Sequence, residues 1–199
     1  MNDVNSDQKC SLSRLNKVVI IGDSYVGKTS ILSVLVNNSF NESKPTIGAN
    51  NQKYIYLNKN KEEIVLDLWD TAGQERYKSV IPMYYKGAKA IIIVFDITDN
   101  ETYEGAKKWI EEIQSHNNSA YLSLLGNKID LDNRKVNSEA VRNYSSIHKI
   151  NFYECSAKEN INIKEVFDDI AEKLQKISDI NTKLVDNEID LNVNRKKCC

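Results

Sequence analysis

The run Gly22-Asp23-Ser24-Tyr25-Val26-Gly27-Lys28-Thr29 has the spacing G-x-x-x-x-G-K-[ST]. Backbone N–H groups of such a loop wrap phosphates, and the helix that follows adds a field favourable to anions at its N-terminus. Gly27 lets the chain approach the ligand closely. Lys28 is placed to reach the β- and γ-phosphates, and the Thr29 hydroxyl to ligate Mg²⁺. The binding stretch thus covers Ser24, Tyr25, Val26, Gly27, Lys28, Thr29 and Ser30. A plain glycine turn is the alternative; a strand-like run before it and a helix-like run after it favour the phosphate reading.

Three further clusters carry compatible chemistry. Asp70-Thr71-Ala72-Gly73-Gln74-Glu75 leaves a strand that ends at Trp69. Asp70 can hold a magnesium ion through water, Gly73 can offer its N–H to a γ-phosphate, and Gln74 can orient an attacking water. In Asn127-Lys128-Ile129-Asp130, the Asp130 carboxylate can accept two hydrogen bonds from the N1–H and amino group of guanine. Adenine has neither donor there and would leave a desolvated carboxylate poorly paired, so discrimination is strong. Asn127 would brace the loops and the Lys128 stem would cover the base. In Ser156-Ala157-Lys158, the Ala157 N–H can donate to guanine O6. Each short run alone reads as well as an ordinary strand exit. Four of them in this order, each after a strand-like run, make coincidence hard to maintain.

The elements that must position these residues alternate along the chain. Val18 to Ile21 is a β-branched run, followed by a helical pattern through Ile31, Leu32, Leu35 and Val36. Tyr54 to Leu57 and Ile64 to Trp69 flank the polar Asn58-Lys59-Asn60-Lys61, which reads as a hairpin. Ile91 to Phe95 is a buried strand. A helix with Tyr103, Ala106, Ile110 and Ile113 on one face comes next, then the strand Tyr121 to Leu125. A helix after Asn137-Ser138, the strand Phe152 to Cys155 and a helix burying Ile163, Val166, Phe167, Ile170, Leu174 and Ile177 complete the pattern. Such alternation predicts an α/β fold, a mostly parallel sheet with helices on both faces. The division is a leader over 1–13, one domain over 14–177 and a flexible tail over 178–199, where the apolar spacing fades.

With 199 residues the chain has room for one well-cored domain. Its 27 Lys+Arg against 28 Asp+Glu argue against a broad nucleic-acid-binding face, so no nucleic-acid partner is expected. The four cysteines are scattered: Cys10 in a polar leader, Cys155 in an apolar run, Cys198 and Cys199 at the end. That suits a reducing compartment rather than a disulfide framework. The polar first sixteen residues show no secretory signal, and the run Ala90 to Phe95 is far too short to span a bilayer.

Across roughly residues 14 to 177 the sequence resembles the Rab family of Ras-superfamily small GTPases. The likeness is carried by Leu68-Trp69-Asp70-Thr71-Ala72-Gly73-Gln74-Glu75-Arg76-Tyr77 and Tyr84-Tyr85-Lys86-Gly87-Ala88. Thr46-Ile47-Gly48-Ala49 and Pro82-Met83-Tyr84-Tyr85 are most similar to the early-endosomal subgroup. The resemblance implies a P-loop G domain with six strands and five helices, and a switch that binds GTP or GDP with Mg²⁺. It implies that Thr46 joins Thr29 and Asp70 around the metal when GTP is bound. Phe40 would pack on the guanine ring, with plain helix-end packing an equal alternative. Gln74 and Lys28 are the implied catalytic residues. Hydrolysis is then real but slow, on the order of 10⁻⁴ s⁻¹ unassisted in the Ras template and about 10⁵-fold faster with an activating partner. No cis arginine is evident, so a GTPase-activating protein is expected. An exchange factor, effectors and a prenyl-binding escort protein complete the implied partners. A monomer is expected, on the cytoplasmic face of endosomal or other vesicle membranes, with a cytosolic pool.

Three features depart from the family. Asn50-Asn51 stands where Rabs place an acidic or small residue and then a Phe that joins Trp69 in an aromatic effector surface. The stretch from Phe40 to Thr46 is about one residue shorter than in many Rabs, and Lys44-Pro45 stiffens its end. Tyr25 occupies a loop position that is often small; it either crowds the nucleotide or points into solvent, and solvent is the favoured reading. The end Cys198-Cys199, after Arg195-Lys196-Lys197, is not C-a-a-X. It is similar to the Rab signal for geranylgeranylation of both thiols, and two lipid chains anchor stably where one is marginal. Each base could add at best about 1 kcal/mol on anionic lipid.

The remaining polar and aromatic residues take plain roles. His116 and His148 read as helix-end surface residues, Trp109 as half-buried packing and Cys155 as a small core residue. Two rival functions remain at this point. One is a module that holds GTP without useful turnover. The other is a P-loop ATPase or small-molecule kinase, against which Asp130 speaks.

Overall fold

The computed structural model describes residues 15–40, 46, 48–73, 81–116 and 119–195. Among them the elements run β1 (Asn16–Ile21), α1 (Lys28–Asn37), β2 (Ala49–Leu57), β3 (Glu63–Thr71), α2 (Ile81–Tyr85) and β4 (Ala90–Asp96). They continue with α3 (Asn100–Ser115), β5 (Tyr121–Asn127), α4 (Ser138–His148), β6 (Asn151–Glu154) and α5 (Ile163–Arg195). The strands form one six-stranded sheet in the order β2-β3-β1-β4-β5-β6. Only β2 is antiparallel to its neighbour, as a hairpin partner of β3; the other pairings are parallel.

The unbroken apolar runs are explained by burial on both faces. Val18 and Ile20 of β1 pack with Leu66, Ile92 and Phe167 on one side. Val19 and Ile21 point the other way, into a cluster with Ile91, Ile93 and Ile110. α1 and α5 therefore cover one face, α2, α3 and α4 the other. The Asp99 and Asn137 side chains cap α3 and α4 by accepting first-turn N–H groups. α1 starts on Gly27, which has no side chain to cap it, so its first-turn N–H groups are left for an anion.

The edge hairpin is tied to α5 by a polar ladder. Tyr54 donates to Asp168 at 2.6 Å, Tyr56 to Glu172 at 2.6 Å and Asn58 to Gln175 at 3.1 Å. Alternate residues of the strand thus meet residues three or four apart on the helix, which lie along one face.

Three elements differ from expectation. α2 is a five-residue helix, too short to leave a periodic pattern. Trp109 is not half-buried but 5 % exposed, in the cluster beneath α3. α5 continues to Arg195, beyond Ile177 where the apolar spacing fades. Ile177, expected in the core, is exposed, as is Ile180, so core packing ends at Leu174, one turn before the apolar spacing fades, although the helix does not. The leader, Lys44-Pro45, and Lys196 to Cys199 lie outside the described residues.

Candidate functional site

The loops that leave β1, β3, β5 and β6 meet at one end of the sheet around a cavity of about 510 Å³, a size typical of small-ligand sites. Fourteen of the expected residues line it. Ser24, Tyr25, Gly27, Lys28, Thr29, Ser30, Thr46 and Gly73 do so towards one end, and Phe40, Asn127, Lys128, Asp130, Ala157 and Lys158 towards the other. Val26, Asp70 and Ser156 stand behind that lining, fully or almost fully buried. Gln74, Cys198 and Cys199 lie outside the described residues. Thr71 and Leu131 line the cavity without having been singled out by the sequence.

At the phosphate end, Gly27 has φ 98°, a left-handed conformation that favours glycine. A Cβ there would lie 2.3 Å from the Asn127 amide nitrogen. Lys28 is buried, and its Nζ donates to the carbonyls of Gly22 at 2.9 Å and Asp23 at 2.8 Å. Burial lowers its pKa to about 8, against the opposing pull of Asp70 and Asp23. Thr29 Oγ1 donates to Asp70 Oδ2 at 2.6 Å and lies 2.9 Å from Thr46 Oγ1. A Cβ at Gly73 would fall 2.5 Å from both the Asp23 carbonyl and Lys28 Nζ, so only glycine brings its backbone this close.

These oxygens suit a hard divalent cation such as Mg²⁺. Two hydroxyls and one carboxylate converge, and Asp70 Oδ1 is buried with no hydrogen-bond partner among the described residues. Burial raises the Asp70 carboxyl above its ordinary range despite Thr29, Lys28 and Thr46. A buried carboxylate in this condition favours a nearby positive charge.

The base end is closed by its own hydrogen bonds. Asn127 Nδ2 donates to the Val26 carbonyl at 2.9 Å, which joins this end to the phosphate loop. Asn127 Oδ1 accepts from the Ala157 N–H at 3.1 Å, the donor expected to face guanine O6, and from the buried Cys155 thiol. Asp130 Oδ1 accepts from Ser156 Oγ at 2.6 Å, and Ser156 Oγ accepts from the Glu159 N–H. Lys128 has φ 74° and pairs with Asp96 Oδ2 at 2.6 Å. Sequence reasoning missed Asp96. The available signal was strand pairing, since β4 and β5 run in parallel with Asp96 opposite Asn127. Phe40 lies beyond the end of α1, 41 % exposed, and lines the cavity rather than the core. Tyr25 is 76 % exposed with φ 64°, in keeping with the solvent reading.

On the neighbouring surface Asn51 pairs with Trp69 across β2 and β3. Both donate to Asp67, Asn51 Nδ2 to Oδ1 at 2.8 Å and Trp69 Nε1 to Oδ2 at 2.8 Å. The residue that departs from the Rab pattern is thus part of a polar clasp on the tryptophan. His116 and His148 sit at the ends of α3 and α4, as expected.

A phosphate-type loop after the first strand, a carboxylate and glycine after the third, and the Asn127 to Asp130 loop after the fifth define a P-loop nucleotide-binding domain. Residues 17–176 match the Ras family, and the chain belongs to that family, as a Rab-type GTPase that hydrolyses GTP. It is 40 % identical over 180 residues to the putative ras-related protein Rab-5B of Dictyostelium discoideum, covering 87 % of this chain and 82 % of the relative. It is 43 % identical over 164 residues to the ras-related protein RABF2a of Arabidopsis thaliana, covering 81 % and 82 %. Identity to the ras-related protein Rab5 of Nicotiana tabacum is 43 % over 161 residues, covering 79 % and 80 %.

Proposed function

We propose that this GTPase acts as an endosomal membrane switch, with the base of GTP at Asp130 and its phosphates on Ser24 to Ser30. The observation that supports this most directly is that one cavity joins Asp130 and Lys128 to Lys28, Thr29 and Thr46. Lys28 supplies positive charge at the β- and γ-phosphates, and the Gly73 N–H meets the γ-phosphate. Gln74 holds the attacking water in line; the bond from the γ-phosphorus to the bridging oxygen breaks, giving GDP and phosphate. Thr29, Thr46 and Asp70 would hold Mg²⁺, whose chemistry is to neutralise charge on the phosphate oxygens. Asn127 braces the two loops, Phe40 and the Lys128 stem flank the base, and Ser156, Ala157 and Lys158 close its edge.

The regulators are an exchange factor, an activating protein and effectors, and the protein works as a monomer. Residues 178–199 act as a tail that brings Cys198 and Cys199 to a prenylating enzyme and then to a cytoplasmic membrane face. Among the described residues no helix is long and apolar enough to cross a membrane. The test is chromatography of the nucleotide released from freshly purified protein, followed by single-turnover hydrolysis of GTP beside Gln74→Leu. Bound guanine nucleotide and a wild-type rate about tenfold or more above the variant are expected. Adenine nucleotide, or equal rates, overturns the reading.

A further inference from the structure

We propose that Asp96 is a positioning residue for the guanine site, acting through Lys128. The inference rests on the assignment of Lys128 to the base.

Asp96 is the last residue of β4 and only 8 % exposed. Its two carboxylate oxygens have separate tasks. Oδ1 accepts from the Thr98 N–H at 2.8 Å and from the Thr98 hydroxyl at 2.7 Å, which fixes the plane of the group. Oδ2 faces Lys128 Nζ at 2.6 Å. The backbone around it is equally held: the Asp96 N–H donates to Thr102 Oγ1 at 3.0 Å, and the Ile97 N–H to the Asn127 carbonyl at 3.1 Å.

Lys128 needs such a partner. A lysine side chain is flexible, with four rotatable bonds, and left to itself it would sample solvent rather than lie along one wall. Here its backbone is in the left-handed region and its head is anchored to a carboxylate rooted in a different strand. Lys128, held between these two fixed points, lines the cavity. Asp96 therefore sets where the apolar stem lies, and with it the surface on which a flat base rests. It does not line the cavity itself, so its influence on a nucleotide passes through Lys128.

The position of Asp96 separates it from Asp130. Asp130 is held by Ser156, from the loop after β6, and reads the edge of the base. Asp96 is held by Thr98 and serves the face. The two carboxylates should therefore fail differently when altered.

The experiment follows release of fluorescently labelled GDP and IDP from the full chain, in wild type, Asp96→Asn, Lys128→Met and the double variant. Inosine lacks the exocyclic amino group, so the ratio of IDP to GDP release reports contact with Asp130. Loss of one charge-assisted bond should accelerate release about 10-fold in Asp96→Asn. The acceleration should be equal for GDP and IDP, and the double variant should be no faster than Lys128→Met alone. Thr98→Val, which removes the hydroxyl bond to Oδ1 but keeps the backbone N–H bond and the charge, should give a smaller acceleration of about 2-fold to 3-fold that disappears beside Lys128→Met. This second variant carries the test if Asp96→Asn does not fold. Release at the wild-type rate, effects that multiply in the double variant, or a changed IDP-to-GDP ratio overturns the proposal. A wild-type protein that retains no guanine nucleotide overturns the guanine assignment itself.

Discussion

The two ends of the nucleotide cavity are built on different principles. At the base end Asn127, Asp130 and Lys128 already have protein partners: Asn127 with Val26 and Ala157, Asp130 with Ser156, Lys128 with Asp96. At the phosphate end the charges are buried faster than the protein neutralises them. Lys28 is pushed down and Asp70 pushed up, both chiefly by burial. The base end is preorganised and can select a ligand by shape and hydrogen-bond pattern. The phosphate end stores a mismatch that an anion and a cation together would relieve. On the proposed function, selectivity and switching would thereby sit in separate parts of one cavity.

The largest effect should come from breaking the preorganised end. Asp130→Asn exchanges a carboxylate acceptor for an amide that cannot accept both guanine donors. GDP affinity should fall roughly 10²-fold to 10³-fold, by titration with labelled nucleotide, while the fold is kept. An unchanged affinity would mean that the base end does not select guanine at all.

Gly27→Ala strikes the point where the ends touch. A Cβ would enter the space of the Asn127 amide, 2.3 Å away, on a backbone that is already left-handed. Asn127 is held from three sides and cannot yield without releasing Val26 or Ala157. A loss of about 2 kcal/mol in urea unfolding and a drop in GDP affinity of about 10-fold are expected. If only stability fell, the two ends would be independent.

The contrast also marks what the sequence could tell. That the phosphate loop, the Asp70 to Gly73 run and Asn127 to Asp130 would meet at one cavity was legible because each is a run of fixed offsets within a single loop. Asp96 was not, since its partner is on another strand and only the register of β4 on β5 brings them together. The same limit hid the ladder from Tyr54 and Tyr56 to α5, whose members are more than a hundred residues apart. The extent of α5 escaped for another reason. Apolar spacing reports the face that packs, and residues 178–195 contain neither Gly nor Pro to stop a helix once packing ends.

The smallest effects are the most diagnostic because their signs differ. In protein stripped of nucleotide and held in chelator, Asp70→Asn removes a buried charge whose Oδ1 has no partner among the described residues. It should raise stability at neutral pH by about 1 kcal/mol. Asp96→Asn leaves Lys128 without its partner and should lower stability by a similar amount, about 1 kcal/mol. The Asp96 carboxyl lies below its ordinary 3.8: burial alone would raise it, but Lys128 and Thr98 overcome that. A depressed carboxyl contributes stability that is present above its unfolded value and lost as pH falls through its folded one. The gap between wild type and Asp96→Asn should therefore stay constant from neutral pH to about pH 5 and close below about pH 4. Urea unfolding across that range measures both variants, and two shifts of the same sign would erase the distinction between the ends.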